Sequence, residues 1–161
     1  MQEPKKIKAT KPADYLNVIT RAVFQAGFNW KVVEAKWPGF EEVFLGFDPE
    51  AVAALRPKQV EKIAKDPRVI RNRAKIEATV HNAVTLLELS DQHRSFRRYL
   101  RSHDGFEDLT KDMVRNFKFL GDTGAYYVLW VVNEKVPSYE DWSASRGIDP
   151  HSPPKRARVK R

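Results

Sequence analysis

An all-α fold is what this sequence predicts, and three observations lead there. Apolar residues recur at steps of three and four along most of the chain, no segment alternates apolar and polar residues as a half-buried strand would, and proline and glycine punctuate it at helix-length intervals. With 161 residues, 42% of them hydrophobic, the chain suits one compact multi-helix domain with a buried core.

Leu16, Ile19 and Val23 share one face of a first helix, which Gly27 stops. Asn29 caps a second helix through Trp30 and Val33; Pro38-Gly39 ends it, and Phe40 to Phe44 forms a further short helical stretch. Proline at the first helical position predicts two short helices, over Pro49 to Leu55 and Pro57 to Lys65. Ile76, Val80, Ala83 and Leu87 repeat on one face of a longer helix from Asn72 to Leu89. Phe96, Tyr99 and Leu100 mark another, which Asp104-Gly105 ends. Thr110 is placed to cap a helix holding Met113, Val114 and Phe117. The run Phe119-Leu120-Gly121-Asp122-Thr123-Gly124-Ala125 then reads as a hairpin leading into a last helix that reaches Glu134. Pro137 ends regular structure, giving roughly eight helices in all.

Charge is segregated. Residues 1–12 hold four lysines and one glutamate, residues 155–161 add five basic side chains, and the remaining 13–154 balance at 20 against 20. The expected layout is therefore a basic amino-terminal arm (1–12), a helical domain (13–142) and a basic, proline-containing tail (143–161) that is expected to be disordered. Within the domain, Arg56 to Lys75 carries eight basic and two acidic residues, and Arg94 to Arg101 four arginines and no acid. Such clusters favour a polyanion, because neutralising phosphates releases counterions; they equally suit a solvated helix face. No apolar run approaches the roughly 20 residues of a membrane span, and no hydrophobic segment follows the first lysines as in a secretory signal. A cytoplasmic, nucleoid-associated protein is expected.

Familiar enzyme signatures are missing. There is no Walker loop, Gly-x-Ser-x-Gly elbow or His-Glu-x-x-His, and the absence of cysteine excludes thiolate catalysis, disulfides and cysteine-held metals. His81, His93, His103 and His151 lack ligand spacing, so neither metal nor cofactor is expected. The Leu120-Gly121-Asp122-Thr123-Gly124 turn offers more. Glycines opening a helix let backbone amides approach a phosphate, where the helix dipole favours an anion.

Gln25-Ala26-Gly27-Phe28-Asn29-Trp30, Phe47-Asp48-Pro49-Glu50-Ala51-Val52-Ala53, Val69-Ile70-Arg71-Asn72-Arg73-Ala74-Lys75-Ile76 and Phe117-Lys118-Phe119-Leu120-Gly121 stand in one order at characteristic spacing. In these blocks the segment from Tyr15 to Val132 resembles DNA-3-methyladenine glycosylase I, of the helix-hairpin-helix DNA glycosylase superfamily. The resemblance implies a monofunctional enzyme that acts as a monomer on double-stranded DNA containing damaged bases and hydrolyses the N-glycosidic bond of alkylated purines in base excision repair. Such an enzyme must turn the nucleotide out of the duplex. Trp30 matches the tryptophan lining the family's base pocket, with Phe28, Trp37 and Phe24 as expected neighbours. Gly121, Thr123 and Gly124 are expected to grip backbone phosphate, with Lys118, Arg71, Arg73 and Lys75 as further DNA contacts. Cleavage develops positive charge on the sugar, which a nearby carboxylate stabilises. The superfamily's aspartate after the hairpin helix corresponds to Asp141, with Glu134 and Glu140 as competitors.

The chain also departs from the family. That family ties its termini through zinc held by two cysteines and two histidines, which this sequence cannot reproduce. Its base-recognising glutamate, eight positions before the pocket tryptophan, is Ala22 here, and of its amino-terminal tyrosine segment only Tyr15 offers a counterpart. Helices that complete the family's domain after the aspartate have no evident equivalent. No lysine occupies the hairpin position that serves Schiff-base chemistry, so lyase activity is not expected. Two other readings stay open: a non-catalytic DNA-binding protein that keeps the fold, and a helical interaction module with a basic tail.

Overall fold

Proline and small polar caps set the helix starts. In the computed structural model, which describes residues 3–149, α1 spans Pro12–Gln25 with proline in its first turn, and Asp14 Oδ2 accepts from the Thr10 and Lys11 amides at 2.9 Å. Gly27, at φ 71°, lets the chain turn away. Asn29 caps α2 (Trp30–Val43), its side chain accepting from Lys31 N. A 3-10 turn (Leu45–Phe47) leads to α3 (Pro49–Ala53), capped by Asp48, and then to α4 (Pro57–Ile63); both begin on proline. Asn72 caps α5 (Arg73–His93), and α6 (Phe96–Leu100), α7 (Phe106–Asn116), α8 (Asp122–Val131) and α9 (Tyr139–Ser145) follow. No strand occurs among the described residues, and the fold is all-α as the spacing predicts.

The core gathers around α5, whose Ile76, Ala83 and Leu86 are fully buried, and which packs against α1, α3, α4 and α6. α1 in turn packs on α8, and α8 on α7. Between α2 and the turn after it, Trp37, Phe40, Phe44 and Phe47 form a ladder of near-parallel rings, with Trp37–Phe40 centroids at 4.8 Å and Trp37–Phe47 at 5.4 Å. Each such ring contributes roughly 2–3 kcal/mol through burial.

Three local expectations are revised. α2 does not end at Pro38 but continues to Val43. Pro38 is exposed, so the hydrogen bond it cannot donate is lost on the solvent side, while Trp37 and Phe40 stay anchored in the core. Thr110 is not a cap: it is buried inside α7, which starts earlier, at Phe106, with Gly105 at φ 90° and Glu107 and Asp108 in its first turn. Regular structure resumes after Pro137 as α9, capped by Ser138, whose Oγ accepts from Asp141 N at 3.1 Å. Trp142 fastens that helix, stacking on Tyr126 at 4.6 Å with 2% of its surface exposed. Ser143 and Ser145, expected in the tail, thus belong to a packed helix; residues 150–161 of that expected tail lie outside the described residues.

The amino-terminal arm is laid onto the domain. Ile7 N donates to Val131 O at 2.8 Å, filling a carbonyl at the open end of α8, and Trp130 Nε1 donates to Pro4 O at 3.1 Å. Arg97 donates to Ala9 O at 2.9 Å, Ala9 is buried, and Lys6 Nζ lies 4.3 Å from the Trp130 ring centroid.

The packing is open to test at two places. A Cβ at Gly39 would meet the Arg68 carbonyl oxygen at 2.5 Å and Arg68 Cβ at 2.9 Å, so Gly39→Ala is expected to cost about 1–3 kcal/mol. A urea midpoint unchanged from the parent would contradict that close approach. Asp112 accepts from Tyr99 OH at 2.7 Å, His103 Nε2 at 2.9 Å and Arg115 Nη2 at 2.6 Å. Burial favours its neutral form, but hydrogen bonds from Arg115, His103 and Tyr99 outweigh this and hold the pKa at about 2. Because the folded value lies below the unfolded one, the contribution is complete above the ordinary carboxylate range and is lost as pH falls towards 2. Asp112→Asn should flatten the fall of stability between about pH 5 and pH 2, measured by chemical denaturation.

Candidate nucleic-acid interface and base pocket

Residues 117–121 join α7 to α8. Phe117 and Leu120 are buried and pin the turn, while Lys118 and Phe119 are exposed, Phe119 at φ 60°. Gly121 precedes α8 with no side-chain cap, and nothing lies within 4 Å of where a Cβ would stand on it, so the first amides of α8 open outward. Thr123 is exposed beside them. From α5, buried Asn82 holds the turn at two points: Nδ2 donates to Lys118 O at 3.1 Å and Oδ1 accepts from Lys118 N at 2.8 Å. Beside it the pKa of His81 is lowered, by burial and then by the charge of Lys118. Asp122 adds a carboxylate where a phosphate would approach, and Arg146 from beyond α9 pairs with it at 3.0 Å and with Glu107 at 2.8 Å.

The other expected phosphate contacts divide. Arg71 and Lys118 are exposed, with no ion pair among the described residues. Arg73 is shared between Glu77 at 3.3 Å and Glu61 at 3.7 Å. Lys75 Nζ donates to Ala26 O at 2.9 Å, closing the carboxyl end of α1, and burial lowers its pKa. Lys75 is thus committed to the protein. Gly124 faces inward: a Cβ there would meet Leu120 Cδ1 at 2.8 Å, while Ala22 Cβ on α1 would stand at an ordinary contact distance of 3.6 Å, so its missing side chain makes room for Leu120.

Trp30, at the start of α2, is partly accessible and meets Tyr127 of α8 edge-on, centroids 5.8 Å apart. Tyr127 is also partly accessible; burial raises the pKa of its hydroxyl, which the side chains of Arg21 and Gln25 reach from α1 and oppose that rise. The Arg21 guanidinium carbon lies 4.8 Å over the Trp37 ring, and its Nε is buried with no hydrogen-bond partner. Glu34, one turn beyond Trp30, is exposed and its charge acts on Tyr127. Phe28 is 46% exposed at the turn before α2. Trp37, expected to line the pocket, instead belongs to the core ladder, its Nε1 donating to Asn17 Oδ1 at 3.0 Å, because its faces are covered by Phe40, Phe47 and Arg21.

Asp141 is exposed in the first turn of α9. α9 rests on Tyr126, whereas Trp30 rests on Tyr127, and adjacent helical residues point about 100° apart. Of its competitors, Glu140 is exposed and Glu134 is paired with Arg101 at 3.0 Å. Two open grooves, of about 620 Å³ beside Trp130 and about 390 Å³ beside Tyr99 and Asp112, lie apart from Trp30. Sequence reasoning missed Arg21, Gln25, Tyr127, Glu34 and Asn82. One signal was available: Arg21 and Gln25, four residues apart, share a helix face on either side of Ala22.

An open-ended hairpin helix whose next turn supports a half-buried tryptophan defines a class, an all-helical protein built like the DNA glycosylases. A family model described as methyladenine glycosylase matches residues 9–118, and the chain belongs to that family. DNA-3-methyladenine glycosylase 1 of Escherichia coli (strain K12) is 36% identical over 72 residues, 45% of this chain and 38% of that protein. The DNA-3-methyladenine glycosylase of Haemophilus influenzae (strain ATCC 51907 / DSM 11121 / KW20 / Rd) is 26% identical over 123 residues, 63% of this chain and 66% of that one. The chain therefore spans less than two thirds of either relative. Among solved structures, 3-methyladenine DNA glycosylase I from Staphylococcus aureus matches with a TM-score of 0.70 at 21% identity, over 80% of this chain and 79% of that one. A solution structure of a 3-methyladenine DNA glycosylase I matches at 0.67 and 25% identity, over 81% and 80%. The family's zinc tether does not fit here: the chain has no cysteine, and no three metal-ligating side chains gather among the described residues.

Removing the two-point hold on the hairpin should be measurable. Asn82→Ala leaves two Lys118 backbone groups without their partner, at a cost of about 1–3 kcal/mol, and is expected to weaken duplex binding in fluorescence anisotropy. Affinity equal to the parent's would show that the hairpin does not grip DNA.

Proposed function

We propose that this protein is a monofunctional DNA glycosylase that turns an alkylated purine out of double-stranded DNA and hydrolyses its N-glycosidic bond, acting as a monomer at the nucleoid. The observation that carries this reading is that one helix serves both tasks. The amino end of α8 offers open amides to a phosphate, and Tyr127, further along it, supports the ring of Trp30. Gly121, Thr123, Lys118 and Arg71 hold the strand; Phe28 stands where the emptied stack needs filling; Trp30 covers the extruded base. Charge developing on the sugar calls for a carboxylate and a positioned water. Glu34, one turn beyond Trp30 on α2, is close enough for its charge to act on Tyr127, and the reading places it ahead of Asp141, which stands on α9.

Methylated duplex DNA incubated with the full chain is expected to release methylated purines without strand cleavage. Trp30→Ala and Glu34→Gln should each slow release by about tenfold or more, and Asp141→Asn by much less. The reverse order of the two carboxylates would return the role to Asp141. No release by folded protein would defeat hydrolysis and favour a second reading, a DNA-binding protein that keeps the fold without the chemistry; the exposure of Asp141 and the methyl group of Ala22 speak for it.

A further inference from the structure

One guanidinium is tied into the amino end of α8. Arg146, the residue after α9, donates from Nη1 to Glu107 Oε1 at 2.8 Å and to Ser145 Oγ at 2.6 Å. From Nη2 it donates to Glu107 Oε2 at 2.9 Å and to Asp122 Oδ1 at 3.4 Å, and from Nε to Asp122 Oδ2 at 3.0 Å. A guanidinium has five N–H groups, so each of them is used. Two rings pack against it as well, Trp142 at 5.5 Å and Phe106 at 5.9 Å from its central carbon. Arg146 thus links α7, α8 and α9 through a side chain only 20% exposed.

The place of Asp122 gives this contact its consequence. Asp122 is the first residue of α8, and Gly121 before it has no side chain with which to cap the helix. A carboxylate in a first turn is attracted by the open amides and the positive end of the dipole, the same features that attract a phosphate. Both Asp122 oxygens are turned to Arg146 instead. Resting on the reading that these amides grip DNA, we propose that Arg146 is a positioning residue for the grip. It draws the Asp122 carboxylate off the amino end of α8 and neutralises it, which keeps that end open to a phosphate of the strand. Arg146 lies outside residues 9–118, the segment matched by the family model, so the family likeness does not supply this role.

The test is a double-mutant cycle on the full chain, read as affinity for an undamaged duplex by fluorescence anisotropy. Urea midpoints and the release of purines from methylated duplex are measured alongside. Arg146→Met is expected to weaken duplex binding by about three- to tenfold, and by less as salt is raised, because the freed Asp122 carboxylate then opposes the phosphate. Adding Asp122→Asn should restore affinity, although it returns none of the contacts that Arg146 makes with Glu107 and α9. That rescue separates positioning from a merely structural role. Arg146→Lys, a point charge that cannot fork onto two carboxylates, should fall between parent and Arg146→Met and be restored in the same way, giving a second variant if the first is poorly folded. Parent-like binding by folded Arg146→Met, or a loss that Asp122→Asn leaves in place, would overturn the assignment, while purine release by the parent would keep the glycosylase reading intact. Rescue in a chain that releases no base would support the assignment and defeat the hydrolytic reading. A parent that binds no duplex would overturn both.

Discussion

The close approach of α8 to α1 organises the rest of the molecule. Gly124 has no side chain, so Leu120 fills the space where one would stand, beside Ala22 of α1. With the helices that near, Tyr127, three residues along α8, comes within reach of Arg21 and Gln25 on α1. The same contact fixes the start of α8, and with it the direction in which the hairpin amides point. A side chain at position 124 would first displace Leu120 of the hairpin turn, and with it the start of α8.

Electrostatics shows a similar division between groups that hold the protein and groups that face outward. The basic excess counted along the chain overstates the surface open to a polyanion. Arg146 is tied to Asp122 and Glu107, Arg101 to Glu134, Arg73 to two glutamates, and Lys75 to the end of α1. Exposed ion pairs of this kind contribute little stability each. Their greater effect here is on the field: Arg146 offsets the carboxylate of Asp122 at the amino end of α8, the place where negative charge would oppose an approaching phosphate.

Much of this was legible residue by residue. Proline at helix starts, Asn29 as a cap and Gly27 as a stop are local chemistry, and they placed the end of α1 and the starts of α2, α3 and α4 closely. Where local signals competed with burial, burial prevailed: Pro38 did not break α2 because Trp37 and Phe40 hold both sides of it, and α9 formed after Pro137 because Trp142 found Tyr126. For the site, Trp30 and the hairpin were readable because their neighbours in sequence carry the pattern. Arg21, Gln25, Tyr127 and Asn82 were not, because each acts on a partner from a distant helix.

An all-helical chain, the order of its helices, its family membership and the position of a glycine-bearing turn were all written in the residues themselves, since these depend on spacing and on backbone preferences a few residues long. Which aromatic residues remain accessible, which cations are already paired, and that Tyr127 meets the ring of Trp30 came from the packing of the helices alone. Those are matters of which faces three helices turn towards one another, and side-chain spacing within one helix does not contain that information.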